Sequence, residues 1–222
     1  VEITEENGRA VITLDQTVFY PQGGGQPYDM GYLESLSAKF IVEEVRFTEG
    51  EVEHIGKFET GTFTAGEAIQ CRVDPERRKL NARIHSAGHL VDKAIAELNL
   101  PWKPGKGYHF PNGPYDEYTG NLEGLDKEKI KADIERLCNA YVEKGGKTEI
   151  TFMTKEEMQK VCRYTPDFPE EKEKRARIVS HDGFYMPCGG TPVGDISEVG
   201  HVTIRKIKKE GEKVRIGYDV VR

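Results

Sequence analysis

The sequence predicts an α+β protein in two parts: a small β-barrel or sandwich over residues 1–73, then an α+β domain over 74–222. Three observations carry that expectation. The first third holds short apolar runs punctuated by glycine, the spacing turns helical at Asp74-Pro75, and strand-like patterning returns after a second helical stretch. With 222 residues, 36% of them hydrophobic and 32% charged, the chain can build one large domain or two modest ones, which excludes a disordered tail or a coiled coil.

In the first part, residues 10–14, Phe40-Ile41-Val42 and Gln70-Cys71-Arg72-Val73 read as strands, with glycines at 8, 31, 50, 56, 61 and 66 between them. Residues 49–51 and 61–66 read as turns. Asp74 is a good N-cap and Pro75 suits the first helical position. Leu80, Ile84, Val91, Ile95 and Leu98 then recur at helical spacing until Pro101. A second helix starts at Asp126, carries Ile130, Ile134, Leu137 and Tyr141 on one face, and stops at Gly145-Gly146. Beyond it come a strand over 148–153, a short helix opened by a Thr154/Glu157 capping box, and a strand over 177–180. A closing hairpin pairs 202–204 with 214–216.

Thirty-two Lys and Arg against 38 Asp and Glu give a net charge of −6, so the overall basic excess of a nucleic-acid coat protein is absent, while a local basic patch stays open. No apolar run approaches the roughly 18 residues of a membrane helix. The acidic start, Val1-Glu2-Ile3-Thr4-Glu5-Glu6, is unlike a signal peptide, and the expected location is the cytosol, although Val1 in place of methionine leaves open what precedes it. Cys71, Cys138, Cys162 and Cys188 show no C-x-x-C spacing, so neither a disulfide framework nor an all-thiolate zinc site is expected.

Chemistry concentrates in three places. His85 and His89 lie four apart inside the first helix, which puts both imidazoles on one face as two metal ligands need, although such pairs are also common as structural residues. Cys188 stands beside Gly189-Gly190, where backbone can turn tightly around an ion; a buried cysteine before a turn is the plainer alternative. Two histidines and one thiolate suit zinc better than magnesium or calcium. The third place is Gly23-Gly24-Gly25-Gln26, either a ligand-facing loop or a tight corner of the fold. No Gly-Lys-Ser/Thr follows it, so it is no phosphate loop.

Four blocks then occur in order: Phe19-Tyr20-Pro21-Gln22-Gly23-Gly24-Gly25-Gln26-Pro27-x-Asp29-x-Gly31, Asp74-x-x-Arg77-Arg78, His85-Ser86-Ala87-x-His89-Leu90 and Cys188-Gly189-Gly190-Thr191. Together they resemble the alanyl-tRNA editing proteins, both the free-standing AlaX type and the editing domain of alanyl-tRNA synthetase. The resemblance implies an N-terminal β-barrel with the glycine-rich motif and an α+β editing domain whose helix and cysteine loop bind one zinc ion through His85, His89 and Cys188. It further implies that Gly23, Gly24, Gly25, Gln26 and Asp29, with Gly189, Gly190 and Thr191, meet the substrate. The implied reaction removes serine or glycine from alanine tRNA by ester hydrolysis. At 222 residues there is no space for an aminoacylation core as well, so a free-standing editor is expected.

The chain departs from the family pattern at telling positions. Pro192 stands where a fourth ligand, histidine, is usual, and His201, His181, Asp182 and Asp195 are the replacements within reach in sequence. Gly88 stands where many members have threonine, and Gly105-Lys106-Gly107-Tyr108 where they have Gln-x-x-Ser. The aromatic run from Gly107 to Tyr118 is either a replacement pocket wall or a loop packed on its own core. His109, His181 and Asp116 are general-base candidates by residue type alone. Arg77, Arg78 and Arg83, with Lys79, Lys103 and Lys106 nearby, are the expected contacts to the tRNA acceptor end, or else a solvated helix face. A catalytically degenerate tRNA-binding homologue and a zinc hydrolase of another small aminoacyl ester remain as alternatives.

Overall fold

In the first eighty residues, alternating side chains generate strands with one apolar face. The computed structural model describes residues 2–166 and 174–221. Its N-terminal unit, Val1–Lys79, holds β1 (Glu2–Glu6), β2 (Arg9–Thr13), β3 (Gly31–Glu34), β4 (Lys39–Thr48), β5 (Glu51–Thr60) and β6 (Gln70–Val73). They form one antiparallel sheet in the order β1-β2-β5-β4-β3-β6. Ile12, Leu33, Phe40, Val42 and Val45 fill its core together with Phe19 and Phe63.

The expected barrel is not there. β1 and β6 are the two edges of an open sheet, and no pairing joins them among the described residues. The physical reason lies in the edges themselves: β1 is almost wholly exposed and β6 has only four residues, alternately exposed and half-buried, so neither offers the apolar surface that closure would bury. The β4–β5 pairing shifts register at Lys39/Phe40 and Val42/Glu44. Opposite the second shift sits Gly56, where an added Cβ would lie 1.9 Å from the Ile41 carbonyl oxygen, so only glycine permits that approach.

Helix α1 (Pro75–Glu97) follows the N-cap that the sequence announces: the Asp74 carboxylate accepts from the N–H groups of Glu76 and Arg77. Its first turn is tied to the N-terminal unit, which runs to Lys79, because Arg77 and Arg78 bond to Tyr28 and Asp29.

The second unit, Leu80–Arg222, continues with β7 (Lys103–Tyr108), β8 (Tyr115–Thr119), α2 (Lys127–Lys144), β9 (Thr148–Met153), α3 (Lys155–Val161), β10 (Ala176–His181), β11 (Phe184–Pro187), a 3-10 turn at Ile196–Val199, β12 (His201–Glu210) and β13 (Lys213–Val221). Two sheets result, β12-β13-β8-β7 and β11-β10-β9. α2 is capped by Asp126 and Gly145, and α3 by the Thr154/Glu157 box, as the sequence indicates. One core joins Ile84, Leu90, Val91 and Ile95 of α1 to Ile134 of α2 and to Ile204, Ile216 and Tyr218 of the four-stranded sheet.

Candidate metal centre and its surroundings

A helix buried on every side cannot show a polar face, and α1 is such a helix in its middle: every residue from Asn81 to Val91 is buried. His85 and His89 therefore point into protein, one turn apart, with ring centroids 4.8 Å from each other. Cys188 follows β11, and its Sγ lies 3.3 Å from His85 Nε2. The three ligand atoms all fall within 4.8 Å of one another. Burial, and next a neighbouring histidine (His109 for His85, His85 for His89), hold both well below the usual imidazole range, so both rings are held neutral. Burial pushes the Cys188 thiol up, and the Gly190 N–H and Arg177 oppose that push.

His89 and the Cys188 loop have orienting partners. His89 Nδ1 lies 3.1 Å from His181 Nε2, and His181 Nδ1 lies 3.1 Å from Thr148 Oγ1. That chain leaves His89 Nε2 for a metal and makes His181 a partner of a ligand, not a ligand. The Cys188 loop is tied at both ends: the Gly190 N–H donates to Cys188 Sγ over 3.3 Å, and Val193 N–H donates to Ser86 Oγ over 3.0 Å. Arg177 Nη1 donates to the carbonyls of Cys188 and Gly190 at 2.7 and 3.1 Å. Arg177 escaped the sequence reading because nothing in β10 marks one arginine apart from another.

The remaining candidates for a fourth ligand are engaged elsewhere. Asp182 pairs with Lys144, Asp195 caps the 3-10 turn through Ser197, and His201 is exposed at the start of β12. Of His85, His89, Cys188, His181, Asp182, Asp195 and His201, only the first three come together.

Beside the triad lies a second buried cluster. The His109 ring sits 4.3 Å from that of His85, and His109 Nδ1 is 2.6 Å from Tyr218 Oη. Tyr218 also donates to the Ile84 carbonyl over 3.2 Å. The single phenol proton serves either His109 Nδ1 or the Ile84 carbonyl, so Tyr218 and His109 share one short hydrogen bond whose direction follows the imidazole tautomer. No described residue hydrogen-bonds Nε2. Two glycines make the space: a Cβ at Gly88 would fall 2.6 Å from His109 Cε1, and one at Gly107 2.3 Å from His109 Nε2. The two departures from the family pattern are thus one feature, since both accommodate the same imidazole. Burial lowers His109 to about 4. Asp116, 3.9 Å from His109 Nδ1, is pushed well above the carboxylate range by burial and next by Asp92, so it is a poor base.

Comparison with known proteins decides the lineage. The model of the family described as tRNA synthetases class II (A) matches residues 1–77. The alanyl-tRNA editing protein AlaX-M of Pyrococcus horikoshii is 33% identical over 202 residues, covering 89% of this chain and 80% of that protein. The chain belongs to the alanyl-tRNA editing family.

The glycine-rich block of this editing protein is a tight turn. Gly23 and Gln26 exchange backbone hydrogen bonds at 3.2 and 2.8 Å, and Gly24 and Gly25 between them have φ of 52° and 77°, the two positive values that a type I′ turn demands. Gln26 and Asp29 are fully buried. Asp29 accepts from the Tyr20 N–H at 2.7 Å and from Arg78 Nε at 3.0 Å, while Arg78 Nη2 also reaches the Val18 carbonyl at 2.7 Å. Arg77 Nε donates to the Tyr28 carbonyl at 2.9 Å. The first two blocks of the family pattern are therefore bonded to each other within the N-terminal unit. Arg83 is buried, with its guanidinium on the carbonyls of Val199 and Val221 at 2.8 and 2.9 Å, an interior anchor that does not fit a phosphate contact.

Proposed function

We propose that this chain is a free-standing editing hydrolase that cleaves the ester joining serine or glycine to the 3′ end of alanine tRNA, using zinc held by His85, His89 and Cys188. The observation that carries the reading is the buried His85-His89-Cys188 cluster in a chain of this family. The donor set fits: two neutral imidazoles and one thiol match a borderline-soft ion, and three protein ligands are typical of catalytic zinc. Bound there, zinc would supply Lewis-acid polarisation of a carbonyl or a water.

The chain's own residues supply position and selection. The rigid middle of α1 fixes the spacing of His85 and His89, and His181 fixes the face that His89 presents. Arg177 and the Gly190 N–H hold the thiol in place. His109 is the wall of the amino-acid pocket, and its Nε2 is the polar group proposed to meet the serine hydroxyl. A hydrogen-bonding group matters because an apolar pocket discriminates poorly between side chains differing by one small group, whereas a hydrogen-bonding site discriminates strongly. Gly189, Gly190 and Thr191 line the same site, and in the N-terminal unit the Gly23–Gly25 turn is a proposed substrate contact whose shape the buried Gln26 and Asp29 hold. Arg77 and Arg78 remain proposed contacts to the acceptor stem, through whichever donors Tyr28 and Asp29 do not occupy. Among the described residues no helix is long and apolar enough to cross a membrane, and the proposed place of action is the cytoplasm, where charged tRNA is found.

The test is deacylation of serine-charged alanine tRNA by enzyme as purified, after chelation, and after zinc is restored. The reading expects activity lost on chelation, regained with zinc, and absent on the alanine ester. No activity in any state would make the chain a tRNA-binding homologue, and equal cleavage of serine, glycine and alanine esters would remove the selection role given to His109.

A further inference from the structure

The three-stranded sheet continues the metal-site row outward. Antiparallel partners share a face, and Arg177 of β10 is paired with Phe152 of β9 on one side. On its other side the Cys188 N–H donates to the Arg177 carbonyl over 3.1 Å, which extends the β10–β11 ladder by one step. Cys188, Arg177 and Phe152 thus form one row across the sheet. The next row is Met186, Val179 and Ile150. At the Cys188 end these rows are buried, with Val179, Met186 and Cys188 in one cluster. At the β9 end they are open, Phe152 being 56% and Ile150 51% exposed.

Exposed apolar side chains at an edge strand are a liability unless something covers them. Two guanidinium groups flank this pair and indicate the charge of what does. Arg175 Nη1 donates to the Phe152 carbonyl at 3.1 Å and lies 3.6 Å from Glu157, an exposed pair that solvent screens, and its side chain is 54% exposed. Arg177 Nη1 donates to the Cys188 and Gly190 carbonyls, and the same guanidinium favours the Cys188 thiolate, which places its positive charge along this row. An aromatic face between cationic forks is the arrangement that binds single-stranded nucleic acid, with the ring stacking a base and the guanidinium taking phosphate. The row spans two strand spacings, about 10 Å from Phe152 to Cys188. That is a distance the ribose of an aminoacylated nucleotide can bridge when its ester is at the triad.

The geometry points to Phe152 as the stacking platform for the terminal base of the substrate RNA, with Ile150 beneath it and Arg177 on the adjoining phosphate. The proposal rests on the editing reading above and adds to it the place where the 3′ nucleotide lies. It also gives Arg177 two duties, holding the thiol loop and orienting the nucleotide whose ester must reach it.

The test separates stacking from catalysis. Phe152→Ala should raise KM for serine-charged tRNA about tenfold or more, the range expected for one lost base–aromatic stack, with the effect falling on KM and not on kcat. Phe152→Trp should restore KM. The same tryptophan variant reports binding without turnover, because the only native tryptophan, Trp102, is buried: titration with the trinucleotide CCA, the common 3′ sequence of tRNA, should quench its fluorescence saturably. An unchanged KM in Phe152→Ala, or no quenching by CCA while the enzyme still deacylates, overturns the platform. Saturable quenching in a protein that deacylates nothing keeps the platform and overturns the editing reading.

Discussion

Gly88 shows how a single hydrogen atom shapes the site. In an ordinary helix, replacing glycine by alanine gains up to about 1 kcal/mol. Here the new methyl would lie 2.6 Å from a buried ring carbon of His109 and 2.8 Å from Tyr218 Oη, so overpacking wins and Gly88→Ala should cost about 1–3 kcal/mol. Adding His109→Ala should recover most of that loss, a coupling that a double-mutant cycle measures by chemical denaturation; strictly additive losses would contradict the contact. Asp29 makes the corresponding case in the N-terminal unit. Asp29→Ala strands the Tyr20 N–H and frees Arg78, so unfolding should become easier by about 2–3 kcal/mol, since a buried donor without its acceptor carries most of the cost. A stability change below a few tenths of a kcal/mol would mean that the pair is ornamental.

At the scale of elements, β5 contributes a pH response that belongs to the N-terminal unit alone. His54 is fully buried between the Ile12 carbonyl, 2.9 Å from Nδ1, and Thr17 Oγ1, 2.8 Å from Nε2. Burial lowers it below its ordinary 6.5. A histidine lowered in the folded state binds more protons when unfolded, so its contribution is complete above about pH 6.5 and is lost as pH falls below that value. Amide exchange of β2 and β5 should therefore speed up on acidification from pH 7.5 towards 5.5, and His54→Gln should flatten the dependence; identical profiles for both proteins would refute the assignment. Elements also show what the sequence could reveal. α1 and α2 are legible because caps and apolar spacing agree. β7 is not, because Lys103-Pro104-Gly105-Lys106-Gly107 reads as loop; it is tolerated as a strand because it is an edge with an irregular register between Pro104 and Gly107. Strand patterning leaves barrel and sandwich open and the resemblance implies the barrel, but whether the edges meet depends on long-range pairing that strand patterning does not encode.

For the whole molecule, a metal joining α1 to the loop after β11 would link positions 103 residues apart, His85 and Cys188. Metal that binds only the folded chain stabilises by mass action, about 2.7 kcal/mol at a hundredfold excess over Kd. Chelation should thus lower Tm, and Cys188→Ser should start from the lower value and respond little to zinc. The triad was legible because a helical pair and a cysteine beside glycines are local patterns. His109, Tyr218, Arg177 and His181 were not legible in their roles, since each acts through a partner distant in sequence; the nearest signal was the pair Gly88 and Gly107, two absences of side chain that prove to share one occupant. The most direct test of the account is cobalt substitution of the purified chain, read by absorption spectroscopy. We expect one cobalt per chain, tetrahedral d–d bands, and a thiolate-to-cobalt charge-transfer band that disappears in Cys188→Ser. Failure to bind cobalt, or a spectrum that Cys188→Ser leaves unchanged, would contradict the site on which the proposed chemistry depends.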